Sequence, residues 1–263
     1  MLLNNKNAII YGAAGAVGSA MARAFAREGA RVFLTGRNPA RLKDLVAEIT
    51  AAGGKAEFAL VDALDEPAVE SHLDQVLAKA GGLDVTFNAI GIPQPGIQGV
   101  PLTDLAVDNF LRPIMTYARA HFLTARGAAR RMVARKTGVI LMHTPEPARS
   151  GAPLIGGMGP AWAAMEALTR DLAAEFGAMG IRPVCLRSTG LPETATITVV
   201  FGLHAQAIGI PREEFQAMME GMSHHRRSTT LRELTNAGVF AASDLSSGLV
   251  GTVLNLTAGK SSD

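Results

Sequence analysis

The sequence predicts an α/β protein with a doubly wound parallel sheet in a single domain, residues 1–263. Short apolar, β-branched runs alternate with Ala-rich helical stretches from the first residues onward. Near-continuous apolar strands between helices are typical of a parallel sheet that is covered on both faces, and right-handed crossovers then give the double winding. A length of 263 residues suits one core, and no linker, repeat or low-complexity tract divides the chain.

Seven runs are predicted as strands because each is short, apolar and followed by a helical pattern or a turn. In order they are NAIIY (7–11), RVFLT (31–35), AEFALV (56–61), DVTFN (84–88), GVILM (138–142), PVCL (183–186) and GTVLNL (251–256). Helical patterns lie at 16–28, 39–52, 66–80, 108–135, 161–179, 212–222 and 231–243. Helix-breaking residues affect two of these predicted helices. GGMGP at 156–160 predicts a loose turn before helix 161–179, and Pro113 predicts a kink or a late start in helix 108–135.

Composition excludes several classes of protein. With 18% charged residues the chain is not a disordered one, and 25 Lys and Arg against 23 Asp and Glu leave no electrostatic footprint for nucleic acid. One Cys excludes a disulfide framework and a thiolate zinc site, so no metal is expected. The start MLLNNKNAII is no signal peptide, and no run reaches the roughly 20 apolar residues of a membrane helix. A cytoplasmic protein without membrane contact is expected.

The connection 188–230 is longer than the others and rich in apolar residues. Long insertions at the carboxyl edge of such a sheet tend to be binding lids, so this segment is predicted as a substrate lid. The alternative is a peripheral helix, packed at a subunit interface. The run His224-His225-Arg226-Arg227 within it is interpreted as a solvated or interfacial turn, because no carboxylate accompanies it at ligand spacing.

The first strand runs into YGAAGAVG (11–18) and then into a helix. Gly12, Gly15 and Gly18 have the spacing that lets a backbone approach a pyrophosphate at a helix amino terminus. Placed after a strand and before a helix, this turn predicts a Rossmann-type dinucleotide site, with contacts also from Ala14 and Val17.

The second strand ends Thr35-Gly36-Arg37. Dinucleotide folds that prefer NAD place an acid here, for the ribose 2′-hydroxyl, whereas Arg37 can meet a 2′-phosphate. NADP(H) is therefore expected in preference to NAD(H). The alternative is that Arg37 caps the surface and stacks on adenine without discriminating.

Over nearly its whole length the chain resembles the short-chain dehydrogenase/reductase family. Asp62 matches the family residue that contacts adenine, NAIG (88–91) is similar to its NNAG segment, and VGTVLNLTAG is much like its closing strand. GIRPVCLRSTGLPET (180–194) resembles the turn after its sixth strand. The resemblance implies a homodimer or homotetramer formed through helices 108–135 and 161–179. It also implies further cofactor contacts at Ala63, Asn88, Ala89, Ile90, Gly91 and Thr189.

The resemblance implies four catalytic residues: a Tyr-x-x-x-Lys pair, a Ser about thirteen residues before the Tyr, and an Asn in the central helix. This chain has other residues at the positions that align with them. Aligning WAAMEALTRDLAAE (162–175) puts Trp162 at the Lys and Met158 at the Tyr. Pro145, or its neighbour Thr144, falls at the Ser, and Tyr117 falls at the Asn. No Lys lies between Lys136 and Lys260, so no shift of register restores the pair.

Neither a thioether nor an indole can serve as the usual acid, whose removal typically costs about 10²–10⁴-fold. The favoured hypothesis is an NADP(H)-dependent reductase whose acceptor needs no tyrosine: an imine or iminium, or a conjugated C=C. Tyr117, Thr144, His143 or water would then supply a proton or hydrogen bond. Pro145, Met158, Phe201 and Met218 would line a pocket for a small hydrophobic or aromatic substrate. The alternatives are a catalytically silent nucleotide- or metabolite-binding protein and a non-redox cyclase or lyase.

Overall fold

A computed structural model describes residues 1–262 and contains one seven-stranded sheet in the order β3-β2-β1-β4-β5-β6-β7. All neighbouring strands are parallel. The strand order reverses between β1 and β4, which confirms the predicted doubly wound α/β fold. The strands are β1 (Asn7–Tyr11), β2 (Arg31–Gly36), β3 (Lys55–Leu60), β4 (Val85–Asn88), β5 (Gly138–Pro145), β6 (Ile181–Ser188) and β7 (Thr252–Leu256).

Eight α-helices connect or flank these strands within the described residues. They are α1 (Ala16–Arg27), α2 (Pro39–Ala51), α3 (Glu66–Ala80), α4 (Val107–Val133), α5 (Met158–Phe176), α6 (Ala195–Ile208), α7 (Arg212–Gly221) and α8 (Leu231–Ala242). None of the described helices is both long enough and apolar enough to span a bilayer.

The core lies on both faces of the sheet, because alternate residues of each strand point to opposite sides. Ala8 and Ile10 of β1 belong to the hydrophobic cluster beside α1, α2 and α8. Ile9 and Tyr11 of the same strand belong to the cluster beside α3, α4 and α5. The two-residue period thus produces the two-sided burial that apolar strands predict.

Among the differences from the prediction, three concern the helices α4, α5 and α6. The helix α6 was not predicted, because its run of Thr, Ile and Val is typical of strands. Its ends explain the helix: the Thr194 hydroxyl accepts the backbone N–H of Ile197, and Gly209 ends it at φ 74°. The helix α5 begins at Met158, three residues earlier than expected. The helix α4 begins six residues before Pro113 and continues through it, so the expected late start is wrong.

Candidate active site

One cavity of about 1400 Å³ runs along the carboxyl edge of the sheet. Its walls come from the β1–α1 turn, the ends of β2, β4 and β5, the start of α5, and the helices α6 and α7. Ligands of doubly wound sheets bind at this edge, beside the point where the strand order reverses. The sequence-predicted residues that line the cavity are Gly12, Ala14, Gly15, Val17, Arg37, Asp62, Ala63, Asn88, Ala89, Ile90, Gly91, Tyr117, Pro145, Met158, Trp162, Thr189, Phe201 and Met218.

The β1–α1 turn fits a pyrophosphate. Gly12 has φ 71°, and a Cβ there would lie 2.6 Å from the Ala89 carbonyl oxygen, so only glycine suits this position. A Cβ on Gly18 would lie 2.4 Å from the Gly12 carbonyl oxygen. Gly18 therefore does not line the cavity but allows α1 to pack against the turn. No side chain caps the amino terminus of α1, which leaves its first N–H groups for an anion.

At the adenine end of the cavity the lining includes two arginines, Arg37 and Arg41, and one of them pairs with a carboxylate. Arg37 follows β2, and Arg41 lies in the first turn of α2, where Asn38 caps the helix. The Arg37 Nη1 lies 3.7 Å from the Asp62 Oδ2, and both side chains are largely exposed. Arg41 was missed by sequence reasoning, although its place one turn after Arg37 was visible there.

Hydrogen bonds hold the loop that follows β4. The Asn88 side chain donates to the Thr124 hydroxyl at 3.0 Å and accepts the backbone N–H of Ile90 at 3.1 Å. Asn88 thereby ties residues 89–91 to α4. Across the cavity the hydroxyl of Thr189 donates to that of Thr229 at 3.0 Å, which fixes the turn after β6.

Three of the four positions where the resemblance implies catalytic residues are packed together. Tyr117, Met158 and Trp162 lie in one hydrophobic cluster with exposures of 7%, 1% and 8%. Burial raises the pKa of the Tyr117 hydroxyl to about 12, although the backbone of Ile92 forms a hydrogen bond that opposes the shift. This wall of the cavity is apolar, and Tyr117 brings the one hydroxyl among the three.

Thr144, one of the two residues that the resemblance aligns with the family serine, does not line the cavity. On β5 it alternates with His143 and Pro145, which line the cavity, so its side chain points to the opposite face. There its hydroxyl is fully buried and donates to the Glu166 carboxylate of α5 at 2.9 Å. Glu166 also pairs with Arg187 at 2.7 Å. The structure therefore places the Thr144 hydroxyl against α5 and outside the lining of the cavity.

Two histidines line the cavity near this wall. Burial lowers the pKa of His143 to about 4 and that of His121 to about 3, so both are neutral near pH 7. The His143 Nε2 lies 2.9 Å from the Ser188 hydroxyl, which itself donates to the Thr189 carbonyl. With the Ser188 hydroxyl donating to Thr189, it accepts from the tautomer of His143 that carries its proton on Nε2. His121 has no hydrogen-bond partner for its Nδ1 among the described residues.

A charged pair that sequence reasoning missed lies beside Pro145. The Lys260 Nζ is 3.4 Å from the Glu146 Oε2, and the Ser150 hydroxyl donates to the same carboxylate. Glu146 follows Pro145 directly and was therefore visible in the sequence. Lys260 comes from the far end of the chain, and only the fold brings it here.

The segment 188–230 contributes α6 and α7 to the wall of the cavity, including Phe201 and Met218. The His204 Nε2 of α6 lies 3.0 Å from the Gln98 Oε1, and the Gln98 amide donates to Gln94, which donates to the Ile92 carbonyl. This chain of hydrogen bonds ties α6 to the loop after β4. Within residues 1–262 no three His, Cys, Asp or Glu side chains come together as metal ligands.

Known proteins resemble the chain over nearly its whole length. The family model described as enoyl-(acyl carrier protein) reductase matches residues 12–261. An uncharacterised oxidoreductase, YxbG of Bacillus subtilis, is 31% identical over 250 residues, which is 95% of this chain and 88% of that one.

Two solved structures share the fold. An NAD⁺-bound xylitol dehydrogenase has a TM-score of 0.91 at 24% identity, covering 98% of this chain and 100% of that one. A gluconate 5-dehydrogenase from Burkholderia cenocepacia in complex with NADP and tartrate has a TM-score of 0.86 at 24% identity, covering 98% and 96%. The family model and the oxidoreductase, together with the seven-stranded sheet, establish the identity at the family level: the chain is an oxidoreductase of the short-chain dehydrogenase/reductase family.

Proposed function

We propose that the protein is an NADP(H)-dependent reductase that delivers hydride to an acceptor that needs no tyrosine acid. An imine or iminium is the favoured acceptor, and a conjugated C=C is the second. The observation that supports this most is one cavity with two different ends. One end has the glycine turn that suits a dinucleotide, whereas Met158, Trp162 and Pro145, which the resemblance aligns with the family's Tyr, Lys and Ser, line another part of the cavity.

The NADP(H) preference is supported by Arg37 and Arg41. Both guanidinium groups line the adenine end, where a 2′-phosphate would lie, and Asp62 is the one carboxylate beside them. Guanidinium groups recognise phosphate through paired N–H donors. Among the structural relatives both NAD and NADP occur, so the preference is argued from these side chains.

When bound, the nicotinamide ring supplies the hydride. The chain's own residues shape what can receive it. Met158 and Pro145 offer no proton, and Trp162 offers an aromatic face that suits a cation or a flat apolar ring. A ketone reduced here would leave an alkoxide without the family's tyrosine acid, since burial raises the pKa of Tyr117 to about 12 and keeps His143 neutral. A protonated imine needs no such acid, because hydride addition makes it a neutral amine.

The segment 188–230 is proposed as the substrate lid, because α6 and α7 place Phe201 and Met218 against the cavity. We further propose that α4 and α5 form the interface of a homodimer or homotetramer. Exposed apolar side chains on α4, among them Met115 and Phe122, are consistent with a covered face. Light scattering of the purified protein measures its mass directly, and a monomer would contradict this assignment.

The test has two stages. NADPH and NADH are first titrated while the fluorescence of Trp162, the single tryptophan, is followed; tighter binding of NADPH is expected, and no response to either cofactor would refute the proposal. NADPH consumption is then measured with cyclic imines, enones and ketones. Turnover confined to ketones would contradict the argument from the missing acid. Binding without turnover of any acceptor would favour a silent nucleotide-binding protein, and a reaction without cofactor would favour a cyclase or lyase.

A further inference from the structure

The charges around the substrate end of the cavity point to the kind of molecule that enters it. We propose that this end binds a carboxylate carried on an apolar body, with Lys260 and Arg149 as the cationic contacts. This proposal rests on the proposed function only in that this part of the cavity is taken as the substrate end. Both an imine and an enone can carry such a carboxylate.

Among the described residues, positive side chains outnumber negative ones in the rest of the cavity lining. Of the two carboxylates that line the cavity within residues 1–262, Asp62 lies against Arg37, which leaves Glu146 as the described acid away from the adenine end. Besides Arg37 and Arg41, three basic residues line the cavity: Arg112, Arg149 and Lys260. The nearby histidines are neutral, because burial lowers the pKa of His121 and of His143. An anionic group on the ligand is therefore favoured here, as a part of the molecule separate from its reacting imine, iminium or C=C.

The local geometry leaves the two cations able to bind. The Lys260 Nζ lies 3.4 Å from the Glu146 carboxylate, which is longer than the roughly 2.8 Å of a short charge-assisted hydrogen bond. An ammonium group has three N–H donors, so most of this capacity is available to a ligand. Arg149 follows a short 3₁₀ turn at Glu146–Ala148, and its backbone N–H donates to the Glu146 carbonyl at 2.9 Å. Its guanidinium forms no ion pair with any residue in 1–262.

The opposite wall accounts for the apolar body. The rings of Phe201 and Phe215 pack edge to face with centroids 5.4 Å apart, and the lining continues with Met218 of α7 and with Met222, which follows that helix. A ligand that buried its hydrocarbon part here would gain roughly 25 cal/mol for each Å² removed from water. A carboxylate at its end would then reach the Lys260 side of the cavity.

The competing idea is that Glu146 binds an organic cation. Glu146 is almost fully buried, and both the Lys260 ammonium and the Ser150 hydroxyl already contact its carboxylate. A cationic ligand would have to displace Lys260, whereas an anionic ligand can use Lys260 where it lies. The two ideas therefore predict opposite effects for the same substitution, which makes the question experimentally sharp.

The test uses three probes with one hydrocarbon body: octanoate, octanamide and octylamine. Each is titrated into the protein, with and without saturating NADP⁺, and binding is measured by calorimetry and by Trp162 fluorescence. Octanoate is expected to bind about tenfold more tightly than octanamide, which corresponds to about 1.4 kcal/mol. Octylamine binding most tightly would overturn the proposal, and so would a failure of all three probes to bind.

The variants separate a binding role from a structural one. Arg149→Met is expected to weaken octanoate binding about threefold to tenfold, and Glu146→Gln is expected to strengthen it by a similar factor, because Lys260 loses its competing carboxylate. The single variant Lys260→Met is unsuitable, because it leaves the buried Glu146 carboxylate without its cation. The double variant Glu146→Gln/Lys260→Met removes both charges. It should lose the preference for octanoate over octanamide. Arg27→Met removes an exposed charge outside the cavity and should change nothing. Weaker octanoate binding in Glu146→Gln would refute the assignment.

The experiments can refute the reductase proposal and the carboxylate-site proposal separately. A protein that binds octanoate but neither NADPH nor NADH would refute the reductase and keep the carboxylate site. A protein that binds NADPH and prefers octylamine would do the reverse.

Discussion

Replacing Arg37 with Ala should weaken NADPH binding about tenfold and leave NADH binding unchanged. The side chain lines the adenine end of the cavity, beyond the glycine turn that both cofactors share. Only the 2′-phosphate distinguishes NADPH from NADH there. A guanidinium that recognises this phosphate must therefore affect one cofactor and spare the other.

The magnitude follows from the exposure of this side chain. Two unit charges 4 Å apart interact by about 1 kcal/mol in water and about 4 kcal/mol near a protein surface. Arg37 is 72% exposed and shares its charge with Asp62 at 3.7 Å, so its contribution lies near the aqueous value. A phosphate of nearly two charges then gives about 1–2 kcal/mol, or roughly tenfold. Removing Arg41 as well should bring the loss to about 30- to 100-fold.

The dissociation constants of NADPH and NADH are measured by calorimetry for the wild type, Arg37→Ala, Arg41→Ala and the double variant. Lys43→Ala is the matched control, because Lys43 is exposed on the same helix as Arg41 but does not line the cavity. The losses should shrink as salt is added, since exposed charges are screened. Equal losses of affinity for NADPH and NADH would mean that Arg37 stacks on adenine without discriminating between the two cofactors. That result would refute the proposed preference for NADP(H).

Three further outcomes are expected. Thr144→Val should lower the free energy of unfolding in urea by about 1–2 kcal/mol, because the Glu166 carboxylate loses a buried donor. The affinity for NADPH should not change. A loss of turnover without a loss of stability would mean that Thr144 acts at the reacting centre. Met158→Tyr/Trp162→Lys should gain less than about tenfold in ketone reduction, because the lysine enters an apolar cluster and Pro145 still offers no hydroxyl; a large gain would contradict the importance of these surroundings. Stability should fall as the pH drops from 6.5 towards about 4. The unfolded chain binds protons on His121 and His143 before the folded one does, so urea denaturation should show a smaller decline when both are replaced by Gln.

The alternating pattern predicted the fold because each strand signal is local. Four to six apolar residues in a row, as in residues 138–142, need no knowledge of their neighbours to be interpreted as a buried strand. The helix α6 shows where this fails. Its β-branched run has strand propensity, and what decides the matter is a cap at Thr194, a stop at Gly209 and packing of Phe201 against Phe215.

The site was predictable to the extent that it lies on contiguous motifs. Gly12, Gly15 and Gly18 form a turn whose geometry is encoded in eight residues, whereas the sequence left Pro145 and Thr144 as alternatives at the serine position, and only the structure shows which of them lines the cavity. Lys260 was not predictable, because its contact with Glu146 joins residues more than a hundred positions apart. The neutral state of His121 was likewise hidden, since its pKa is set by burial among elements that meet only in the folded chain.

The departures from the family pattern make physical sense as a group rather than one by one. Tyr117, Met158 and Trp162 lie in one hydrophobic cluster with the underside of the sheet, so each apolar replacement keeps the others dry. A lysine alone in this cluster would be a buried charge without a partner, and a tyrosine alone at residue 158 would lack a cation to make it more acidic. Packing therefore couples the three positions, while Glu146, Arg149 and Lys260 bring charged groups to the lining of the same cavity. Charged groups that hold a substrate beside an apolar wall that cannot give it a proton favour an acceptor that is already activated when it arrives.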